Sequence, residues 1–175
     1  MNPIIENLLT RRSIRAFTDR PIAKQDLQTI ATAAIYAPSG MNRQTWQFTV
    51  IDHAPTIEQL AKTVGKADNR GDDYNFYKPT AIIIATNHRE SRHGCPDCSC
   101  ALQNIFLAAH SLGIGSVWIN QLNATCDMPE VRAELTKVGV PVDHVVYGMA
   151  ALGYAATPPQ KEPNKNDQVI RFYEP

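Results

Sequence analysis

Between Thr80 and Thr86 the chain reads Ala-Ile-Ile-Ile-Ala, with no polar position on either side of an extended segment. Side chains of a strand alternate between its two faces, so a continuous apolar run is a strand covered on both. Other elements must then pack above and below it. That requirement implies a layered α+β or α/β domain around a central sheet. The chain has 175 residues, enough to bury such a core as one domain without disulfide staples.

The rest of the chain supplies the layers. Asn2-Pro3 caps and starts a helix carrying Ile4, Ile5, Leu8 and Leu9. A second helix runs from Lys24 to Tyr36, with Leu27, Ile30, Ala31, Ala34 and Ile35 on one face. Pro38 ends it, because the residue before a proline disfavours the α region. Trp46 to Ile51 alternates and is rich in aromatic and β-branched residues, a strand pattern. A short helix covers Thr56 to Val64. Gly65 to Pro79 mixes polar residues with Tyr74, Phe76 and Tyr77, as a mobile lid or binding loop does. A long helix begins at Asp97 as N-cap, places Leu102, Ile105, Phe106, Ala109 and Leu112 on one stripe, and stops at Gly113. Gly115 to Ile119 and His144 to Leu152 read as strands, with a helix over Pro129 to Val138 between them. The division is a domain over 1–155 and a Pro- and Lys-rich arm over 156–175, with a last strand at Gln168 to Tyr173. The arm has little of its own to pack against, which suits docking on a neighbouring subunit.

Charge narrows the partners. Seventeen Lys and Arg balance seventeen Asp and Glu. A neutral sum opposes a general nucleic-acid or membrane-surface binder, which needs a broad positive field. The N-terminus lacks a charged-then-apolar signal pattern and no apolar run can span a bilayer. The expectation is a cytoplasmic protein. Yet the first twenty residues hold four arginines against Glu6 and Asp19, so a local anion pocket is compatible with the neutral total.

Three of four cysteines crowd into Cys95-Pro96-Asp97-Cys98-Ser99-Cys100; the fourth is Cys126. Thiolates so close can share a soft metal, with Cys126, His93 or His88 completing the set. The simpler reading is a helix start. Cys98 and Cys100 in one helix point about 200° apart and cannot both ligate one ion. No second CxxC is present, so no metal site is assigned.

Four segments carry candidate chemistry. Arg11-Arg12-Ser13-Ile14-Arg15 offers planar, multi-donor recognition of phosphate, though arginines also suit a solvated helix end. Pro38-Ser39-Gly40-Met41-Asn42-Arg43-Gln44 sets two amides in a loop, able to match a heterocycle's imide edge or simply to form turns. Leu112-Gly113-Ile114-Gly115-Ser116-Val117-Trp118-Ile119-Asn120 follows a helix and enters a strand, the reverse of the dinucleotide-binding order. It can present backbone N–H groups to a flat ligand. In the tail, Lys161, Lys165 and Arg171 could each add positive charge. No Ser-His-Asp or Cys-His signature and no P-loop is present, and no pair of carboxylates stands out. No catalytic side chain is assigned; in an enzyme of this kind a cofactor carries the chemistry.

Taken in order, RRSIRAF, APSGMNRQTWQF, LGIGSVWI and ALGY (Ala151 to Tyr154) resemble the nitroreductase family of flavin enzymes over nearly the whole chain. The resemblance implies an α+β fold with a central mixed β-sheet flanked by helices. It implies a homodimer with FMN at the interface and a domain-swapped C-terminal arm. Arg11, Arg12, Ser13 and Arg15 match positions that hold the FMN phosphate and ribityl end. Pro38, Ser39 and Gly40 match a loop covering the flavin from the partner subunit, and Asn42 and Gln44 match its polar pair. Trp118, Ile119 and Asn120 match the segment along the ring, where the Asn120 N–H meets N5. Lys165 is the preferred tail residue for the phosphate, and Asn75 and Lys78 are weaker candidates for the ring's pyrimidine edge. The implied activity is ping-pong oxidoreduction: NADH or NADPH reduces FMN, which reduces a nitroaromatic, quinone or other conjugated acceptor. The competing readings are a flavin-binding sensor or store without robust turnover, and a cysteine-based metal or redox-switch protein. The departures are Thr45 in place of the family's Pro, the cysteine cluster, and Asn120 where other branches carry an acid or Gly.

Overall fold

The computed structural model describes residues 1–157, 159 and 163–174; Lys161 lies outside them. Four strands form one sheet: β1 (Trp46–Ile51), β2 (Ala81–His88), β3 (Gly115–Ile119) and β4 (His144–Gly153). Their spatial order is β1-β2-β4-β3, and every neighbouring pair is antiparallel. Helices α1 (Pro3–Thr10), α2 (Lys24–Ile35), α3 (Ala54–Ala67), α4 (Gly94–Ser111), α5 (Gln121–Thr125) and α6 (Pro129–Lys137) complete the α+β domain. The expected mixed sheet is antiparallel: β4 inserts between β2 and β3, which run the same way without pairing, and the Ser13–Ser116 parallel bridge lies outside the named strands.

The Ala81–Ala85 run is fully buried and divides its side chains between two cores. Ile82 and Ile84 pack with Met149, Ala151 and Ile119 against α3, α5 and α6. Ala81, Ile83 and Ala85 pack with Ala150 and Leu152 against α2 and α4. The period of two along β2 therefore makes two apolar layers from one strand.

Helix boundaries shift where capping decides them. Helix α4 begins at Gly94, three residues before the expected N-cap. Asp97 lies inside the helix instead, buried, with Oδ1 accepting the Gly40 N–H at 2.9 Å. Helix α5 was not legible because its five residues are too few for a periodic signal. The segment expected as a lid is anchored: Phe76 is fully buried, and the Tyr74 hydroxyl donates to Gln121 Oε1 at 3.0 Å. In the tail, Asp167–Val169 forms a 3₁₀ turn and no strand spans Gln168 to Tyr173. A strand needs a ladder partner, and residues 168–173 pair with none among the described residues. No helix among the described residues is long and apolar enough to cross a membrane.

Candidate functional site

The arginine segment leaves α1 and lies along β3. The Ile14 N–H donates to the Ser116 carbonyl at 2.9 Å, and Ser13 bridges Ser116. Gly115 permits this approach, since a Cβ there would meet Ile14 Cγ1 at 2.9 Å. Arg11 stands 5.9 Å from the Phe106 ring centre, and Phe106 lies 5.9 Å from Trp118. Arg15 lies 6.0 Å from the Tyr77 ring centre. Among the described residues no carboxylate pairs with Arg11, Arg12 or Arg15.

The electrostatics favour an anion. Burial, then the Arg12 charge, lowers the Arg11 pKa. Burial, Arg11 and Arg12 likewise lower that of His110, whose Nε2 lies 2.9 Å from Thr10 Oγ1. Arg12 Nη1 donates to the Leu9 and Arg11 carbonyls at 2.7 and 2.9 Å, which fixes one side of its guanidinium and leaves other donors free. Ser116 Oγ is buried with no hydrogen-bond partner, beside Ser13. A buried hydroxyl without a partner among the described residues fits a site completed by another polar atom.

Strand β3 is an edge, and its exposed side is where the backbone N–H groups lie. Because the Ser116 carbonyl faces the Ser13 segment, the alternation of a strand turns the N–H groups of Trp118 and Asn120 to that same open side. Trp118 is 37% exposed, and its Nε1 donates to Asn120 Oδ1 at 3.3 Å. Gly148 opposite has no room for a Cβ, which would meet the Trp118 ring at 2.8 Å. The Ile119 side chain is in the core, and the same alternation turns its N–H and C=O toward β4, so Ile119 offers the open edge neither side chain nor backbone donor. This edge, with charge at one end and an aromatic face at the other, can hold a flat ring that ends in a phosphate.

The second loop lies elsewhere. Pro38–Gln44 leads into β1, the opposite edge of the sheet, three strand spacings or roughly 14 Å from β3. Met41, Asn42 and Gln44 take left-handed backbone angles (φ 53°, 53° and 49°). Gln44 Nε2 donates to Asn42 Oδ1 at 2.9 Å, and the Gln44 N–H to Ser39 Oγ at 3.3 Å. One chain therefore brings together Arg11, Arg12, Ser13, Trp118 and Asn120, sets Arg15 beside Tyr77 and turns Ile119 into the core, and does not bring Pro38, Ser39, Gly40, Asn42 or Gln44 to them. Lys165 is exposed on the tail. The Asn75 amide is engaged within its own loop, donating to the Asp73 carbonyl and accepting from Tyr77 N–H. No three His, Cys, Asp or Glu side chains converge on a metal position among the described residues. Ser116 and Phe106 enter the sequence reading only within a segment and on a helix stripe, not as candidates in their own right. The isolated hydroxyl in an apolar strand was a signal for the first, whereas Phe106 looked like any core position.

A family model described as the nitroreductase family matches residues 8–154. A Bacteroides fragilis nitroreductase crystallised with bound FMN is 40% identical, with a TM-score of 0.93 over 99% of this chain and 100% of that one. An Archaeoglobus fulgidus protein provisionally named NADH dehydrogenase/NAD(P)H nitroreductase is 33% identical over 88% of this chain and 86% of its own length. An FMN reductase [NAD(P)H] of Bacillus subtilis is 30% identical over 97% of this chain and 76% of its own.

Proposed function

The chain belongs to the nitroreductase family and is an FMN-dependent NAD(P)H oxidoreductase, and from that premise we propose its acceptor class and the way two copies complete its site. The acceptor is a nitroaromatic, quinone or similar conjugated molecule, reduced in ping-pong order. When bound, FMN supplies a carrier that takes hydride from NAD(P)H and passes it on to the acceptor that replaces the nicotinamide.

The residues fit that group. A phosphomonoester carries about two negative charges at neutral pH. Arg11, Arg12 and Arg15, unpaired by any carboxylate among the described residues, with Ser13 beside them, would hold it through charge-assisted bonds of roughly 1.5–3 kcal/mol each. Lys165 adds a charge from the tail. The Trp118 and Asn120 N–H groups would donate to the ring's edge, and the Ser116 hydroxyl lies at the Ser13 end of the same strand. The observation that carries this reading is the juxtaposition of unpaired arginines with the open side of β3.

The Pro38–Gln44 loop, on the far edge of its own sheet, reaches a flavin only as part of a second copy. Pro38, Ser39 and Gly40 then cover the ring of the partner's site, with Asn42 and Gln44 toward ring or substrate. Exposed apolar residues support a homodimer: Ile4 and Leu9 on α1, Tyr36 after α2, and Phe172 and Tyr173 on the arm. Residues 156–175 dock on the partner of the 1–155 domain. The protein works in the cytoplasm.

Absorption spectroscopy tests the reading. After saturation with FMN and gel filtration, the protein retains a flavin spectrum, NADH or NADPH bleaches it without oxygen, and a nitroaromatic or quinone restores it. Loss of flavin on the column overturns the site assignment. Retained flavin that only dithionite bleaches overturns the turnover and leaves a binding module.

A further inference from the structure

The cysteine cluster lies apart from the arginine segment and the β3 edge, and adjoins Gly40, whose N–H Asp97 accepts, in the loop proposed to cover the partner's flavin. Helix α4 starts at Gly94, so Cys95 and Cys98 fall in its opening turns, separated by Pro96 and Asp97. Residues three apart on a helix share a face, with Cα atoms about 5 Å apart, inside the 4.4–6.8 Å that a disulfide spans. Cys100 lies about 140° from Cys95 around the axis and cannot share that face. Pro96 falls in the first turn, where a helix has no internal acceptor for its missing N–H.

The two thiols are unlike. Cys95 is exposed, whereas Cys98 is fully buried. Burial first, and then the Asp97 carboxylate, pushes the Cys98 thiol up to about 12. The Asn87 amide lies beside the Cys98 sulfur and acts the other way, favouring its thiolate. Asn87 Nδ2 is buried with no hydrogen-bond partner, while its Oδ1 accepts from the Thr45 hydroxyl at 2.7 Å. Asp97 Oδ1 accepts the Gly40 N–H, which leaves its second oxygen available. An exposed sulfur that attacks and a buried one that resolves are the two halves of a dithiol exchange centre.

We propose that Cys95 and Cys98 form a redox-active dithiol that exchanges with low-molecular-weight disulfides. The Cys95 thiolate attacks one sulfur of the disulfide RSSR, and RS⁻ leaves with the electron pair of the broken S–S bond. The Cys98 thiol attacks Cys95 Sγ as its proton passes to solvent, and the second RS⁻ leaves with the electron pair of the broken S–S bond. Each RS⁻ takes up one of the two protons released by the cysteines. The dithiol is oxidised by two electrons and RSSR is reduced to two RSH. Asn87 donates to Cys98 Sγ while it is charged.

The FMN-loaded protein is equilibrated with glutathione and glutathione disulfide at graded ratios, quenched with an alkylating reagent and mapped by peptide mass. The expected result is a Cys95–Cys98 disulfide, two hydrogens lighter, that titrates as a single two-electron step. Cys98→Ser traps glutathione on Cys95, Cys95→Ser abolishes the exchange, and Cys100→Ser changes nothing. If Cys98→Ser does not fold, Cys98→Ala, which keeps the site apolar, gives the same trap. A wild-type protein that accumulates glutathione on Cys95 without closing the ring overturns the proposal. So does a disulfide to Cys100, or full alkylation of Cys95 and Cys98 at every ratio.

Discussion

Arg12 is held from one side by two carbonyls at the end of α1 and offers its remaining donors outward. Arg12→Ala raises the dissociation constant for FMN about tenfold, ~1.4 kcal/mol, in a fluorescence titration. Unchanged affinity would remove this cluster as the phosphate site. Ser116 gives a complementary test. Its buried hydroxyl costs the apo fold a desolvated, unpaired group, so Ser116→Ala leaves apo stability unchanged or higher by about 1 kcal/mol and weakens FMN binding. A drop in both would mean the hydroxyl is structural. His110 supplies a pH signature. Its folded-state pKa is depressed by burial, Arg11 and Arg12, so the unfolded chain binds the proton more readily. The stability it contributes is complete above the unfolded value near 6.5 and is lost as pH falls through the folded value. The melting temperature of the apo protein therefore declines below pH 6.5, and His110→Gln shallows that decline. His144 is depressed in the same sense, chiefly by burial, and leaves a residual slope.

At the scale of elements, the segment between α3 and β2 is positioned by one side chain. Phe76 is fully buried in the core against α3, in an edge-to-face contact with Tyr74 at 5.3 Å. Phe76, Tyr77 and Lys78 all hold left-handed angles, a conformation that packing must enforce for non-glycine residues. Phe76→Ala opens a cavity worth roughly 3–5 kcal/mol in denaturant unfolding and frees the Tyr77 ring from Arg15. A loss under 1 kcal/mol would show that the loop is held by other contacts. Element identity was legible wherever periodicity was strong. The bounds of β1 agree with the sequence reading, and those of α2, β2 and β4 to within two residues. The start of α4 was misplaced because Asp97 is a good cap by composition. Its carboxylate is instead claimed by Gly40, 57 residues away, a contact no local pattern announces.

At the scale of the molecule, the two segments proposed to line the flavin sit on opposite edges of one sheet, so in the proposed dimer a second chain completes the site. Removing residues 163–175, which include exposed Val169, Ile170, Phe172 and Tyr173, shifts sedimentation from dimer toward monomer and lowers flavin occupancy in parallel. A truncated chain that stays dimeric and flavin-loaded would dismiss the arm. The neutral total charge is compatible with this assembly, since the anion site draws on the local positive excess around residues 11–15.

The sequence by itself determined which faces are buried, because period-two and period-3.6 patterns are local properties of the chain. It determined that three arginines stand together without an acid among them, and which short motifs occur in which order. Only the tertiary structure decided that β4 inserts between β2 and β3, that Asp97 anchors a distant loop, and that Ser116 is left without a partner. Strand order and buried hydrogen bonds depend on contacts between residues far apart in the chain. Hydrophobic burial constrains such contacts only in sum, so many sequences with the same local pattern could meet it differently.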